Sequence, residues 1–201
     1  MTIPRRASPT PGQRRSPLSV ALGRLPEAIT RIEHAAQLDP LSAQVHSTFG
    51  RILYRARKFD EAIVRLNRAI ELEPRNPQAY GRVGDVYDQM GKYADALAFY
   101  EKSRALMGNP ESGGSRMARV YARMGRVSES RQMVKSLGDG YGFAEVYAAL
   151  GDKDMAFRLL FKTVEERSDW HIFIKADPPF ESLHSDPRWK ELIGRMNLPT
   201  D

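Results

Sequence analysis

The chain has 201 residues, 41% apolar and 28% charged, which suits one well-buried domain and is short for two. It has no cysteine, so disulfides, thiolate metal sites and a cysteine nucleophile are excluded. The net charge of +6 does not mark a nucleic-acid surface, because residues 1–26 hold five arginines and no acid, leaving 26 basic against 25 acidic side chains elsewhere.

Residues 1–16 read as a disordered Pro/Arg-rich tail, with Arg5, Arg6, Arg14 and Arg15 among its prolines. The apolar stretch near Leu18 to Leu22 is broken by Ser19 and followed by Gly23 and Arg24. A secretory signal needs about 7–15 apolar residues, and no run approaches the ~20 needed to cross a bilayer. No membrane association is expected, and a cytoplasmic location is.

From residue 23 onward a 34-residue offset brings like residues into register. Ala28, Ala62 and Ala96 align, as do Ile32, Leu66 and Tyr100; Gly50 meets Gly84, and Pro40 meets Pro74. Within each unit the apolar spacing is helical: Phe49, Ile52, Leu53 and Ala56 on one helix, then Ala62, Ile63, Leu66, Ala69 and Ile70 on the next. Arg57-Lys58-Phe59 and Gly91-Lys92-Tyr93 mark tight turns, and Asp39-Pro40 and Glu73-Pro74 stop the second helices. The small residues Gly50, Gly84, Ala62 and Ala96 fall where paired helices would press closest.

The flanking units depart from this period. At the front, Gly23, Ala28, Ile32, Ala35 and Pro40 supply a second helix whose partner would occupy residues 9–22, where Pro11, Gly12 and Pro17 forbid full length. The first unit reads as truncated, with an apolar flank open to self-association. Residues 111–136 keep Met117, Ala118, Tyr121, Gly125 and Ser130 but are about eight residues short, and Phe143, Ala144, Tyr147, Gly151, Ala156 and Leu160 restore the pattern. Towards the C-terminus, alternating Trp170, Ile172 and Ile174 predict a short extended stretch, and Asp177-Pro178-Pro179 a turn. Asp186-Pro187 predicts a helix start, with Trp189, Leu192, Ile193 and Met196 capping the open end of the array.

Tyr80, Val83, Gly84, Tyr87, Gly91, Ala96 and Tyr100, with His46, Phe49, Gly50, Leu53, Ala62, Leu66 and Pro74 one unit earlier, resemble the tetratricopeptide repeat. The resemblance implies an all-α superhelix of about four to five helical hairpins with a C-terminal cap. We expect the tail at 1–16, the array at 17–168 and the cap at 169–201. The closing segment, including Ser168, Trp170, Phe180, Asp186 and Trp189, is similar to the end of bacterial signalling proteins in which such repeats form the C-terminal half.

Little in the sequence supports chemistry. His34, His46, His171 and His184 form no metal-binding spacing, and His46 occupies a packing column. Gly138-Asp139-Gly140 precedes a helix but follows another helix rather than a strand, so it reads as helix termination. Carboxylate pairs such as Asp85 and Asp88 are expected on solvated faces. No catalytic residue, metal or cofactor is expected. What the family implies is a concave groove lined by the first helices of each unit. Carried onto this sequence, that groove holds Arg51, Tyr54, Arg55, Arg82, Asp85, Arg119, Arg123 and Tyr141. Guanidinium groups suit carboxylates and phosphates, so the expected partner is a protein or peptide, acidic in character. Two functional readings stay open: a non-catalytic scaffold holding a peptide or helix in the groove, and a regulatory or sensory module of a larger bacterial signalling or transcription-regulating system. Charge reversal at Arg51 and Arg119 is expected to weaken binding without changing melting.

Overall fold

A computed structural model describes residues 24–109, 111–137, 141–166 and 173–196. Ten α-helices follow one another among them: α1 (Leu25–Leu38), α2 (Ala43–Arg55), α3 (Phe59–Leu72), α4 (Pro77–Gln89), α5 (Tyr93–Met107), α6 (Gly114–Arg123), α7 (Val127–Leu137), α8 (Tyr141–Ala149), α9 (Lys153–Glu165) and α10 (Pro187–Arg195). A 3-10 turn at Pro178–Leu183 precedes the last of them.

Local signals place the boundaries. The side chains of Ser42, Asn76, Asp152 and Asp186 each accept a backbone amide in the first turn of the helix they precede, satisfying donors that have no partner within the helix. Proline in the first turn of α1, α4 and α10 loses nothing there, since its missing N–H would be unbonded anyway. The paired helices α2/α3, α4/α5, α6/α7 and α8/α9 are joined by turns with one residue in the left-handed region. That residue is glycine at Gly91, Gly125 and Gly151, but Arg57, at φ 61°, in the first hairpin.

Packing follows the 34-residue register. A Cβ added to Gly50 would lie 2.5 Å from Leu66 Cγ, and one added to Gly84 would lie 2.5 Å from the Tyr100 ring. The small residues therefore let each first helix approach its partner closely. Ala62, Leu66, Ala96 and Tyr100 are buried in return. Equivalent tethers recur one unit apart. His46 donates from Nε2 to the Pro40 carbonyl at 3.0 Å, and the Tyr80 hydroxyl donates to the Pro74 carbonyl at 3.1 Å. His46 is thus a packing residue with its tautomer fixed by a carbonyl acceptor.

Among the described residues the array opens on α1, packed on α2 through Ala28 and Ile32. The region expected to hold its shortened partner, residues 9–22, lies outside the described residues, as do Gly138–Gly140. So do Trp170 and Ile172 of the expected extended stretch. Ile174 is in a turn, not a strand, and its buried side chain packs with Phe180, Leu183 and Leu192 against Phe157 and Leu160. Asp186 and Pro187 do open a helix, and α10 packs on α9.

The closing segment does more than cover the last hairpin. Phe173, one residue before Ile174, belongs to the cluster of the first hairpin, with Phe49, Leu53 and Ala62. The Arg55 guanidinium lies over its ring at 4.1 Å, and Arg55 Nε donates to Asp177 at 2.5 Å in a pair only 5% and 7% exposed. Arg57 adds a half-exposed contact to Glu181 at 3.1 Å. One short segment is therefore pinned to both ends of the array.

Candidate functional site

With its ends tied, the array encloses a cavity of about 510 Å³ on the inner face. Its wall comes mainly from the first helices of the four hairpins. Arg51, Tyr54 and Arg55 come from α2, Gln78, Arg82 and Asp85 from α4, Arg116 and Arg119 from α6, and Gly142 and Glu145 from α8. Helix α9 adds Leu159, Lys162, Thr163 and Glu166, and the closing segment adds Asp177. Stacked hairpins present equivalent helix faces to one side, which is how such an array generates an extended concave surface.

One side of this wall is a charge network spanning three hairpins. Arg119, 3% exposed, donates to Asp88 at 2.7 Å, to Asp85 at 3.1 Å, to the Tyr100 hydroxyl at 3.1 Å and to Glu145. Arg116 holds Asp85 at 3.0 Å, and Arg123 holds Asp88 at 3.0 Å. Burial pushes the Asp85 carboxyl up, but Arg116 and Arg119, with hydrogen bonds from Tyr100 and Arg116, outweigh it and keep the group below the ordinary carboxylate range. Burial, then Asp85, pushes the Tyr100 phenol well up, so its hydroxyl stays protonated and donates to Asp85 at 3.0 Å.

These contacts change the expected site. Asp85 and Asp88 are not on a solvated face: Asp88 is fully buried and Asp85 is 17% exposed. Arg119 lines the cavity, but its nitrogens are engaged by three carboxylates, so its reversal to Glu would break the core network rather than leave melting unchanged. Arg123 lies outside the cavity wall, on Asp88 and 5.6 Å from the Tyr93 ring centre. Tyr54 reaches the wall while its ring packs 6.1 Å from Phe59 in the first-hairpin core. Arg55 is held by Asp177. Tyr141 opens α8, and its side chain lies outside the described residues. Arg51 and Arg82 line the cavity as expected residues of its α2 and α4 wall.

The residues carried onto the groove from the sequence did not include Arg116, Glu145 or Asp177. A signal for the first existed: Asp85 to Arg116 and Asp88 to Arg119 are both separations of 31 residues, acid on one first helix and base on the next. Among the described residues no group of three metal-ligating side chains forms, and His184 is not among the cavity residues.

The hairpins, their 34-residue register and the glycine-mediated helix contacts agree with the family comparison, in which the tetratricopeptide-repeat model matches residues 47–110. The chain carries tetratricopeptide repeats. Solved structures of the same fold extend the likeness beyond the matched units. A thermophilic TPR protein of Thermus thermophilus is 19% identical, with a TM-score of 0.62 over 84% of this chain and 97% of that one. PilF of Pseudomonas aeruginosa is 21% identical, with a TM-score of 0.55 over 82% and 78% of the two chains. YrrB, described as a TPR protein with an unusual peptide-binding site, is 18% identical, with a TM-score of 0.50 over 84% and 91%. No curated protein matches the sequence. At these identities the structures establish a shared TPR fold. No helix among the described residues is long and apolar enough to cross a membrane.

Proposed function

We propose that this TPR protein is a non-catalytic adaptor that holds a peptide or a helix of a second protein in its concave groove. The observation that carries the proposal is the cavity of about 510 Å³ walled by the first helices of successive hairpins. TPR arrays are protein-interaction scaffolds, and a groove of aligned helices receives an extended or helical segment through side-chain pockets. The volume falls in the range of about 300–1,000 Å³ over which proteins bury small ligands and anchoring side chains. A regulatory partner in a larger signalling system would use the same groove.

The test is peptide-display panning against the immobilised chain and against Gln78→Trp. Gln78 is exposed on the cavity wall, so an indole there fills the groove without entering the core. Peptides enriched on the wild type should lose at least tenfold in affinity for the variant. Equal affinity for both proteins would place binding elsewhere and end the groove reading.

A further inference from the structure

The cavity wall carries six cationic side chains and four carboxylates. Arg55 is held by Asp177, Arg116 and Arg119 by Asp85, Arg119 also by Glu145, and Lys162 stands 3.9 Å from Glu166. Arg51 and Arg82 are the two cations of the wall with no carboxylate within 4.0 Å among the described residues. They project from adjacent first helices, and they converge. Arg82 donates to the hydroxyl of Ser47, one turn before Arg51 on α2. Arg51 Nε is buried and has no hydrogen-bond partner. An unsatisfied buried donor is costly, and the charge of Arg82 acts on Arg51 in the same direction. Each such group in a native structure calls for an explanation, and a ligand that completes the site is one.

We propose that Arg51 and Arg82 form a seat for a doubly charged oxyanion, a phosphoryl group, on the α2–α4 wall of the cavity. The charge requirement selects the ligand. A lone carboxylate would match one of the two surplus positive charges, whereas a phosphoryl group carries about −1.5 to −2 at neutral pH and offers three acceptor oxygens. Those oxygens can meet the terminal N–H groups of Arg51 and the remaining N–H groups of Arg82, both of which line the cavity, and guanidinium forks bind such groups in a bidentate way. Phe173 lies 5.6 Å from the Arg51 guanidinium and gives it an apolar backing. The state of the arginines agrees: burial, then the nearby Arg82 and Arg55, push Arg51 down to about 10 against the pull of Asp177, and burial lowers Arg82 against the pull of Asp85. Bound phosphate would reverse both tendencies. The phosphoryl group has two sources, a free phosphate ion or a phosphorylated residue of the partner. For its location the inference rests on the groove reading, not on the identity of the partner.

The experiment uses the full chain in phosphate-free buffer at constant ionic strength, followed by arginine 15Nε NMR and thermal melting. The probes are inorganic phosphate, N-acetyl-phosphoserine amide, N-acetyl-serine amide and acetate. Both phosphoryl probes should give saturable shifts at Arg51 and Arg82 and raise the melting temperature. Acetate should bind at least tenfold more weakly, and the serine amide should give no shift. Phosphoserine amide binding at least tenfold tighter than phosphate assigns the seat to a modified partner, and equal binding assigns it to the free ion. Arg51→Gln and Arg82→Gln should each weaken phosphate at least tenfold. Each removes one of two like charges, so each should melt at or above the wild type without phosphate, which separates lost binding from lost folding. The seat is overturned if phosphate shifts neither Nε, if acetate binds as well, or if both variants keep wild-type affinity. Phosphate binding with failed peptide panning would sink the groove reading alone. Successful panning without a phosphate response would sink the seat alone.

Discussion

Arg119 reaches Asp85, Asp88, Glu145 and Tyr100 from a single side chain, and Asp88 is fully buried beneath it. Removing one member of a buried ionic cluster leaves charge in the interior without its partner, which typically costs about 3–5 kcal/mol. Arg119→Met, which keeps the bulk of the stem, should therefore lower the unfolding free energy by about that amount in urea denaturation. A loss under about 1 kcal/mol would show that Arg123 and Arg116 carry the acids unaided. None of this network was legible from one helix at a time. Asp85 and Asp88 look solvated on α4 alone because they sit off its apolar stripe, and their burial arises only where α6 and α8 fold across the concave side. The place of Arg51 and Arg82 on the inner wall was legible, because position within the repeat decides where they project. That no carboxylate of the described residues lies within 4.0 Å of either was not, since it depends on where every other carboxylate of the wall goes.

At the scale of helices and turns the sequence was far more explicit. The 34-residue register located both complete central hairpins, since proline, glycine and the spacing of alanines act through local backbone physics. Less was legible at the ends: of the stretch where alternation suggested a strand only residues 173 and 174 are described, and Ile174 is in a turn, because Ile174 and Phe173 face two different clusters for tertiary reasons. Arg57 is the local exception. It occupies at φ 61° the position filled by Gly91 and Gly125 in the next two units, and a side chain there costs about 1 kcal/mol. Its contact to Glu181 is exposed and worth little in return. Arg57→Gly should stabilise the protein by about 0.5–1 kcal/mol, read as a higher urea midpoint at unchanged slope. A lower midpoint would mean that the Glu181 contact outweighs the backbone strain.

In a stack of repeats each unit touches its neighbours, and stability accumulates along one dimension. Here Phe173, Asp177 and Glu181 add a contact between the first hairpin and the segment that follows the last. Asp177→Asn weakens that contact at one atom. Amide hydrogen exchange in residues 173–183 and in α2 should then speed up at least tenfold while α6 keeps its protection. Uniform acceleration across all helices would show instead that the tie is part of a single cooperative unit. An array joined only neighbour to neighbour behaves as a coil spring, whose pitch and aperture yield to whatever enters. Fastening the two ends fixes both, so the inner space is a preset gauge. A partner must match it as built, and the protein loses little conformational freedom in receiving it.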